Sequence, residues 1–293
     1  MRAFIATDDG LHLLGDGRHD FAGRAIPALA RRGNTCWALI DGSSIQRNDD
    51  GEWREVARLE EARGQCLAAW QGTMLIGADR ARLYLVEEGV ARLVESFATA
   101  PGRETWFTPW GGPPDVRSIA VSTDGTAYVN VHVGGILRSN PDGRWQPTID
   151  HQADVHQVVV HDGLVLAACA RGLAVSRDAG ASWTIHAEGL HARYCRAVTV
   201  AGETILVSAS RGPDGLHAAI YRAPLADPAR LERCTAGLPE WFADNIDTFC
   251  LAGAGRSVLA GTSDGTLFQS DDEGRHWRKV GGSLPPVRAI VIV

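Results

Sequence analysis

The chain has 293 residues, 45% hydrophobic and 22% charged, with a net charge of −6 and a pI of about 5.9. That length and apolar content support a sizeable core, and the acidic balance without a basic stripe excludes nucleic acid as an expected partner. No apolar run reaches bilayer-spanning length, and Met1–Asp8 lacks a signal peptide's apolar core and small-residue cleavage site, so no membrane association and a cytoplasmic location are expected.

Taken in order, the chain repeats one pattern. Each unit has an apolar alternating run, a turn, a second run ending in small residues, a third run, and a polar turn carrying Gly and usually Trp. The first-strand runs start at Arg24, Gln65, Arg117, His156, Arg196 and Asp247. Matching second runs are Cys36–Ile40, Met74–Gly77, Ala127–Val131, Leu164–Ala168, Ile205–Ser208 and Ser257–Gly261. The spacing is about 40 residues, the period of a four-stranded propeller blade. Two fragments remain. Val287–Val293 matches a first strand, and Ala3–Thr7 with Leu11–Leu14 matches a second and third. The fold expected is all-β, a seven-bladed β-propeller with a split closing blade, residues 1–293 forming one domain. Closure in this way removes exposed sheet edges.

Six cysteines, Cys36, Cys66, Cys169, Cys195, Cys234 and Cys250, form no C-x-x-C pair and sit mostly inside apolar runs. They read as small buried hydrophobes in a reducing compartment. His151, Asp154 and His156 have the spacing of an ordinary strand entrance, so no metal and no cofactor are expected.

Two turns fit Ser-x-Asp-x-Gly-x-x-Trp: Ser176/Asp178/Gly180/Trp183 and Ser270/Asp272/Gly274/Trp277. Asn48/Asp50/Gly51/Trp53 and Asn140/Asp142/Gly143/Trp145 are shortened copies. An Asp carboxylate accepts backbone N–H bonds inside its own turn, Gly supplies positive φ, and Trp covers the hairpin. These turns resemble the Asp-box (BNR) repeat of sialidases, sortilin-type receptors and the photosystem II assembly factors, a group that also neighbours WD40 and YVTN repeat proteins. The resemblance implies a propeller with the boxes on its outer rim, away from any active site.

Function has to come from elsewhere. In a propeller the first strands line a central channel and begin on one face. Their opening residues, Arg24, Gln65, Arg117, His156, Arg196, Asp247 and Arg288, are expected to ring one channel mouth. Clustered guanidinium groups repel one another unless an anion neutralises them, and their planar forks suit carboxylate or phosphate. Loops entering that face add Trp106, Trp110, Tyr194 and Trp241, aromatic surfaces suited to a sugar or another flat ligand.

Three function classes remain open. One is a binding or scaffold propeller with an anion pocket, its partner a small anionic ligand, an acidic sugar or a protein; resemblance to the assembly factors implies a protein. A second is a sialidase-like glycoside hydrolase: Arg24-Ala-Ile-Pro27 resembles that family's Arg-Ile-Pro motif with one inserted residue, Arg196 and Arg288 complete an arginine triad, and Tyr194 and Asp247 are nucleophile and acid/base candidates. A third is a lyase acting on a carboxylated substrate, with His156 or Tyr194 as base. Oligomeric state is left open.

Overall fold

The computed structural model describes residues 1–49, 51–109 and 111–293. It is a seven-bladed β-propeller built from seven four-stranded antiparallel sheets. Blades one to six follow chain order, and their inner strands are Ala28–Arg32, Gly64–Trp70, Val116–Val121, Val155–His161, Tyr194–Ala201 and Leu251–Ala254. In the seventh, Val287–Ile292 pairs with Ala3–Thr7, which continues into Gly10–Leu14 and His19–Asp20. The split closing blade is thus present, with Ile5 opposite Ile290 and Ala3 opposite Ile292.

The chain forms two compact units. Unit one comprises residues 1–25, 166–175 and 184–293; unit two comprises 26–165 and 176–183. The core of unit one gathers Ile5, Leu206, Ile220, Phe242, Leu259, Trp277 and Ile290. A core cluster of unit two joins Trp37, Leu39, Ile45, Leu67, Met74 and Ile76. Strands such as Ala127–Val131 and Thr204–Ser210 are buried along their whole length, so both of their faces contribute to the cores.

Two inner strands start later than the sequence predicts. The first begins at Ala28 rather than Arg24, since Pro27 has no N–H to give a ladder. The sixth begins at Leu251 rather than Asp247. Residues 247–250 instead form a turn in which Cys250 N–H donates to Asp247 O at 2.9 Å, with Phe249 left-handed at φ 65°.

One packing device recurs beside the inner strands. Cys66 is opposite Gly77, and its thiol donates to Val116 O at 3.6 Å, the first residue of the next inner strand. Cys250 does the same to Val287 O at 3.3 Å, with its own carbonyl accepting from Gly261 N. Gly77 and Gly261 are required there. A Cβ on Gly77 would fall 2.5 Å from Cys66 Sγ, and one on Gly261 would fall 2.5 Å from Val287 Cγ1. Blades three and five reverse the arrangement. There the second strand supplies the donor: Asn130 Nδ2 to Val155 O at 3.0 Å and Ser208 Oγ to Ile246 O at 2.7 Å. All six cysteines are buried thiols outside any disulfide. The sequence reading treats them as apolar filler; Cys66 and Cys250 also join successive blades.

The Ser-x-Asp-x-Gly-x-x-Trp turns close as the chemistry requires. Ser270 Oγ donates to Asp272 Oδ1 and accepts from Gly274 N, both at 2.9 Å, while Asp272 Oδ1 accepts from His276 N and Trp277 Nε1 donates to Gly274 O. In the other copy Asp178 accepts from Ser182 N at 2.8 Å and Ser182 Oγ at 2.6 Å. In the shortened copies Asn48 Oδ1 accepts from Gly51 N and Asp142 Oδ1 from Arg144 N; Asp50 lies outside the described residues.

Candidate functional site

Four of the seven predicted ring residues occupy a shared backbone feature. Gln65 lies between Gly64, opposite Ala78, and Cys66, opposite Gly77, so it is the extra residue of a β-bulge. Arg117 sits in the same way between Val116 and Ser118. Arg288 does so between Val287 and Ala289, and the irregularity in blade five spans Arg196. A bulge adds twist and re-aims the side chain it carries, which is why bulges cluster at functional edges. His156 is likewise the second residue of its inner strand, and it is fully buried.

Arg24 and Asp247 are not strand residues. Aligned on Cys66/Gly77 and Cys250/Gly261, Phe249 takes the place that Gln65 has in blade two, and Asp247 lies two residues upstream. Arg24 is exposed in a turn, where its carbonyl accepts from Gly10 N at 2.7 Å.

Arg24, Arg196, Asp247 and Arg288 belong to unit one; Gln65, Arg117 and His156 belong to unit two. In unit one, Arg196 and Arg288 are brought into a line of alternating charge. Arg196 Nη1 is 3.2 Å from Asp247 Oδ1, and the Tyr194 ring lies 5.4 Å from the Arg196 guanidinium carbon. Asp247 Oδ1 also accepts from Thr248 N at 2.8 Å. Arg288 grips Asp8 with two bonds, Nε to Oδ1 at 2.6 Å and Nη2 to Oδ2 at 2.5 Å. The Asp8 bonds, and to a smaller degree the Asp247 charge, hold the Arg288 guanidinium more firmly protonated. Asp8 was not expected from the sequence, yet the Thr7–Val287 pairing in the split blade is what sets it beside Arg288.

Arg196 is the most confined member of this line, its side chain only 14% exposed. Its Nε–H is buried and has no hydrogen-bond acceptor among the described residues. A buried N–H of this kind is costly unless water or a ligand oxygen completes it.

The aromatic candidates divide by environment. Trp106 is buried against Phe97, whose ring is 6.0 Å away, with the Arg103 guanidinium 5.2 Å from the indole. Phe97 is fully buried and also meets Trp145 edge-on at 5.1 Å. Trp106 therefore packs the connection after Val90–Leu93, with its short helix Glu95–Ala98 and 3-10 turn Arg103–Thr105, which the repeat pattern does not contain. Trp241 is enclosed by His191 at 4.7 Å, His217 at 5.0 Å and the Arg233 guanidinium at 3.8 Å. His191 Nδ1 lies 2.6 Å from the buried Tyr221 hydroxyl, and burial with the Arg233 charge lowers the imidazole's pKa. Trp110 lies outside the described residues.

In unit two, His156 meets Asp154, its neighbour at the strand entrance, and His132, while His151 is not one of the three. His156 Nε2 is 3.6 Å from Asp154 Oδ2, while His132 Nε2 is 3.3 Å from Asp154 Oδ1. Burial alone would raise the Asp154 pKa, but the two imidazoles facing it outweigh burial and hold the carboxyl below the usual range. His132 follows a second strand, Ala127–Val131, and the packing of that sheet against the next brings it beside the entrance to Val155–His161. Unit two also has a cleft of about 530 Å³ lined by Trp70, Leu75, Leu85, Val94, Pro141 and Trp145. None of the predicted site residues that the structure describes lines it.

No family model matches the sequence, and no curated protein does. Solved structures match in fold. YCF48 bound to D1 peptide superposes with a TM-score of 0.60 at 14% identity, covering 94% of this chain and 84% of that one. YCF48 from Cyanidioschyzon merolae gives 0.59 at 15% identity, covering 88% and 85%. The WD40 repeats of RRP9 give 0.62 at 14% identity, covering 89% and 81%. Identity this low shows a shared propeller fold and nothing finer. Among the described residues, no helix is long and apolar enough to cross a membrane.

Proposed function

We propose that this chain is a binding or scaffold propeller that holds a carboxylate-bearing segment of a protein or peptide at the Arg196–Asp247–Arg288 line of unit one. The observation that carries this is Arg196. One edge of its guanidinium is held by Asp247, while its buried Nε–H has no acceptor among the described residues. An incoming carboxylate oxygen supplies that acceptor, and the adjoining Arg288 adds a second cation that is half exposed, at 48%. The two aspartates make the line charge-balanced. It therefore favours a ligand that brings its own mixture of carboxylate and donor groups, as a peptide does, over a bare anion. The peptide in the YCF48 complex is consistent with a propeller of this kind serving as a peptide platform.

Catalysis is less well supported by the same geometry. Tyr194 lies beside the Arg196 cation, and Asp247 is engaged by Arg196 and Thr248 N, whereas a sialidase mechanism needs its acid/base carboxyl and nucleophile poised at one sugar.

The test is fluorescence anisotropy with a panel of labelled acidic peptides and their amidated or Gln-substituted counterparts. Arg196→Ala and Arg288→Ala are measured beside the parent, with sialosides and uronates assayed for turnover. Saturable binding of acidic peptides, weakened at least about tenfold in Arg196→Ala by loss of a charge-assisted hydrogen bond, is the expected result. Equal binding by parent and both variants, or turnover of a carboxylated sugar, overturns the proposal.

A further inference from the structure

We propose that His132, Asp154 and His156 bind one divalent transition-metal ion of the zinc, cobalt or nickel kind. This site lies wholly in unit two and is independent of the peptide line in unit one.

The geometry supports it in three ways. First, each residue offers one donor atom, and the three atoms lie within 4.8 Å of one another. Two of the separations, His132 Nε2 to Asp154 Oδ1 at 3.3 Å and His156 Nε2 to Asp154 Oδ2 at 3.6 Å, exceed the usual 2.9–3.0 Å of an N–H···O bond. The two rings thus face different oxygens of one carboxylate, each at about the 3.4 Å that separates two ligands of a tetrahedral ion with bonds of about 2.1 Å, and a small turn of the carboxylate lets one oxygen serve with both nitrogens. Second, the donor set is chemically selective. Two imidazoles and one carboxylate suit borderline transition ions, whereas magnesium and calcium require oxygen.

Third, the three donors are held in place before any ion arrives. His132 N–H donates to Asp115 O at 3.0 Å. Val155, between Asp154 and His156, has its carbonyl held by Asn130 Nδ2 at 3.0 Å. Asp154 ends a short 3-10 turn, His151–Ala153, that Asp150 caps by accepting from Gln152 N at 2.9 Å, and Asp154 itself is left-handed at φ 49°. That conformation delivers its carboxylate to the two rings. His156 forms the buried wall of the site, while His132 and Asp154 keep 16% and 30% side-chain exposure. An ion could enter from their side. Three protein ligands leave one position for water or a ligand group, the arrangement of an exchangeable site rather than a closed structural one.

The test uses the full chain without a polyhistidine tag, stripped with EDTA. It is titrated with Zn²⁺ by calorimetry and with Co²⁺ by visible spectroscopy, with Mg²⁺ as control. His132→Ala and Asp154→Asn are compared with the parent, and metal-free circular dichroism melts report their folding. The expected result is one equivalent of Zn²⁺ bound, no saturation with Mg²⁺, and affinity reduced at least about tenfold in each variant. Zn²⁺ should also raise the parent's melting temperature and leave that of the variants unchanged. Absence of saturable Zn²⁺ binding, or equal affinity in parent and both variants, overturns the proposal. If neither variant folds, the parent's Co²⁺ spectrum decides. Intense d–d bands of four- or five-coordination support the site, and only the weak bands of a hexa-aqua-like ion overturn it.

Discussion

Cys66 and Gly77 show how closely single residues are matched. The thiol and Val116 of the next inner strand together fill the space that a second-strand side chain would need, so the partner is glycine; where the second strand carries Asn130, the inner strand carries Ser118. Gly77→Asn alone should therefore destabilise by overpacking, about 1–3 kcal/mol. Adding Cys66→Ser recreates the blade-three pair and should recover part of the loss, with a coupling of roughly 0.5–3 kcal/mol. Urea unfolding of the parent, both single variants and the double variant checks this; strict additivity would refute it. The cysteines carry a second expectation. Burial raises the thiols of Cys66 and Cys250 strongly and pushes Cys234 up to about 12. A thiol-specific disulfide reagent should leave the native protein unlabelled and titrate all six after denaturation, since only the thiolate reacts.

At the scale of elements, the polar turns link acid stability to named carboxylates. Hydrogen bonds from Ser182 and Ser176 hold Asp178 down to about 2 from its ordinary 3.8. A carboxyl lowered on folding stabilises the protein above its unfolded value and loses that contribution as pH falls through the folded one. The effect is thus complete above about pH 5 and disappears between roughly pH 4 and 2. Asp178→Asn should lower the melting temperature at pH 7 while converging with the parent near pH 2, as followed by circular dichroism melts. These turns were legible in the sequence because their donors and acceptors lie within eight residues. The inner-strand starts were less so. Apolar alternation continues upstream of Ala28 and Leu251, but Pro27 and the left-handed Phe249 stop the ladder. The regular repeat misplaced Arg24 and Asp247 for that reason.

For the whole molecule, the split blade is the least local feature. Val287–Ile292 gives Ala3–Thr7 its inner partner and places Arg288 on Asp8. Deleting residues 287–293 should expose the edge of Ala3–Thr7 together with apolar Ile5, and unpaired strand edges template aggregation. The truncated chain should melt lower and self-associate, measured by differential scanning calorimetry and light scattering. An unchanged melting temperature and a monodisperse truncated chain would argue that this pairing contributes little.

The amino-acid sequence by itself determined the repeat, the number of blades, the joining of the two ends and the hydrogen-bonded turns. Each depends on patterns of two residues, eight residues or one blade, and such patterns survive without coordinates. It also marked Arg196, Arg288 and His156 as polar residues at the head of apolar strands. Tertiary structure decided what those residues meet. Asp8 reaches Arg288 across 280 positions, Asp247 reaches Arg196 across 51, and His132 reaches Asp154 from a neighbouring sheet. Charge neutralisation and metal-ligand geometry depend on separations of a few ångströms between segments far apart in the chain. A one-residue bulge or a single left-handed backbone angle sets those separations, and neither leaves a mark in composition or periodicity.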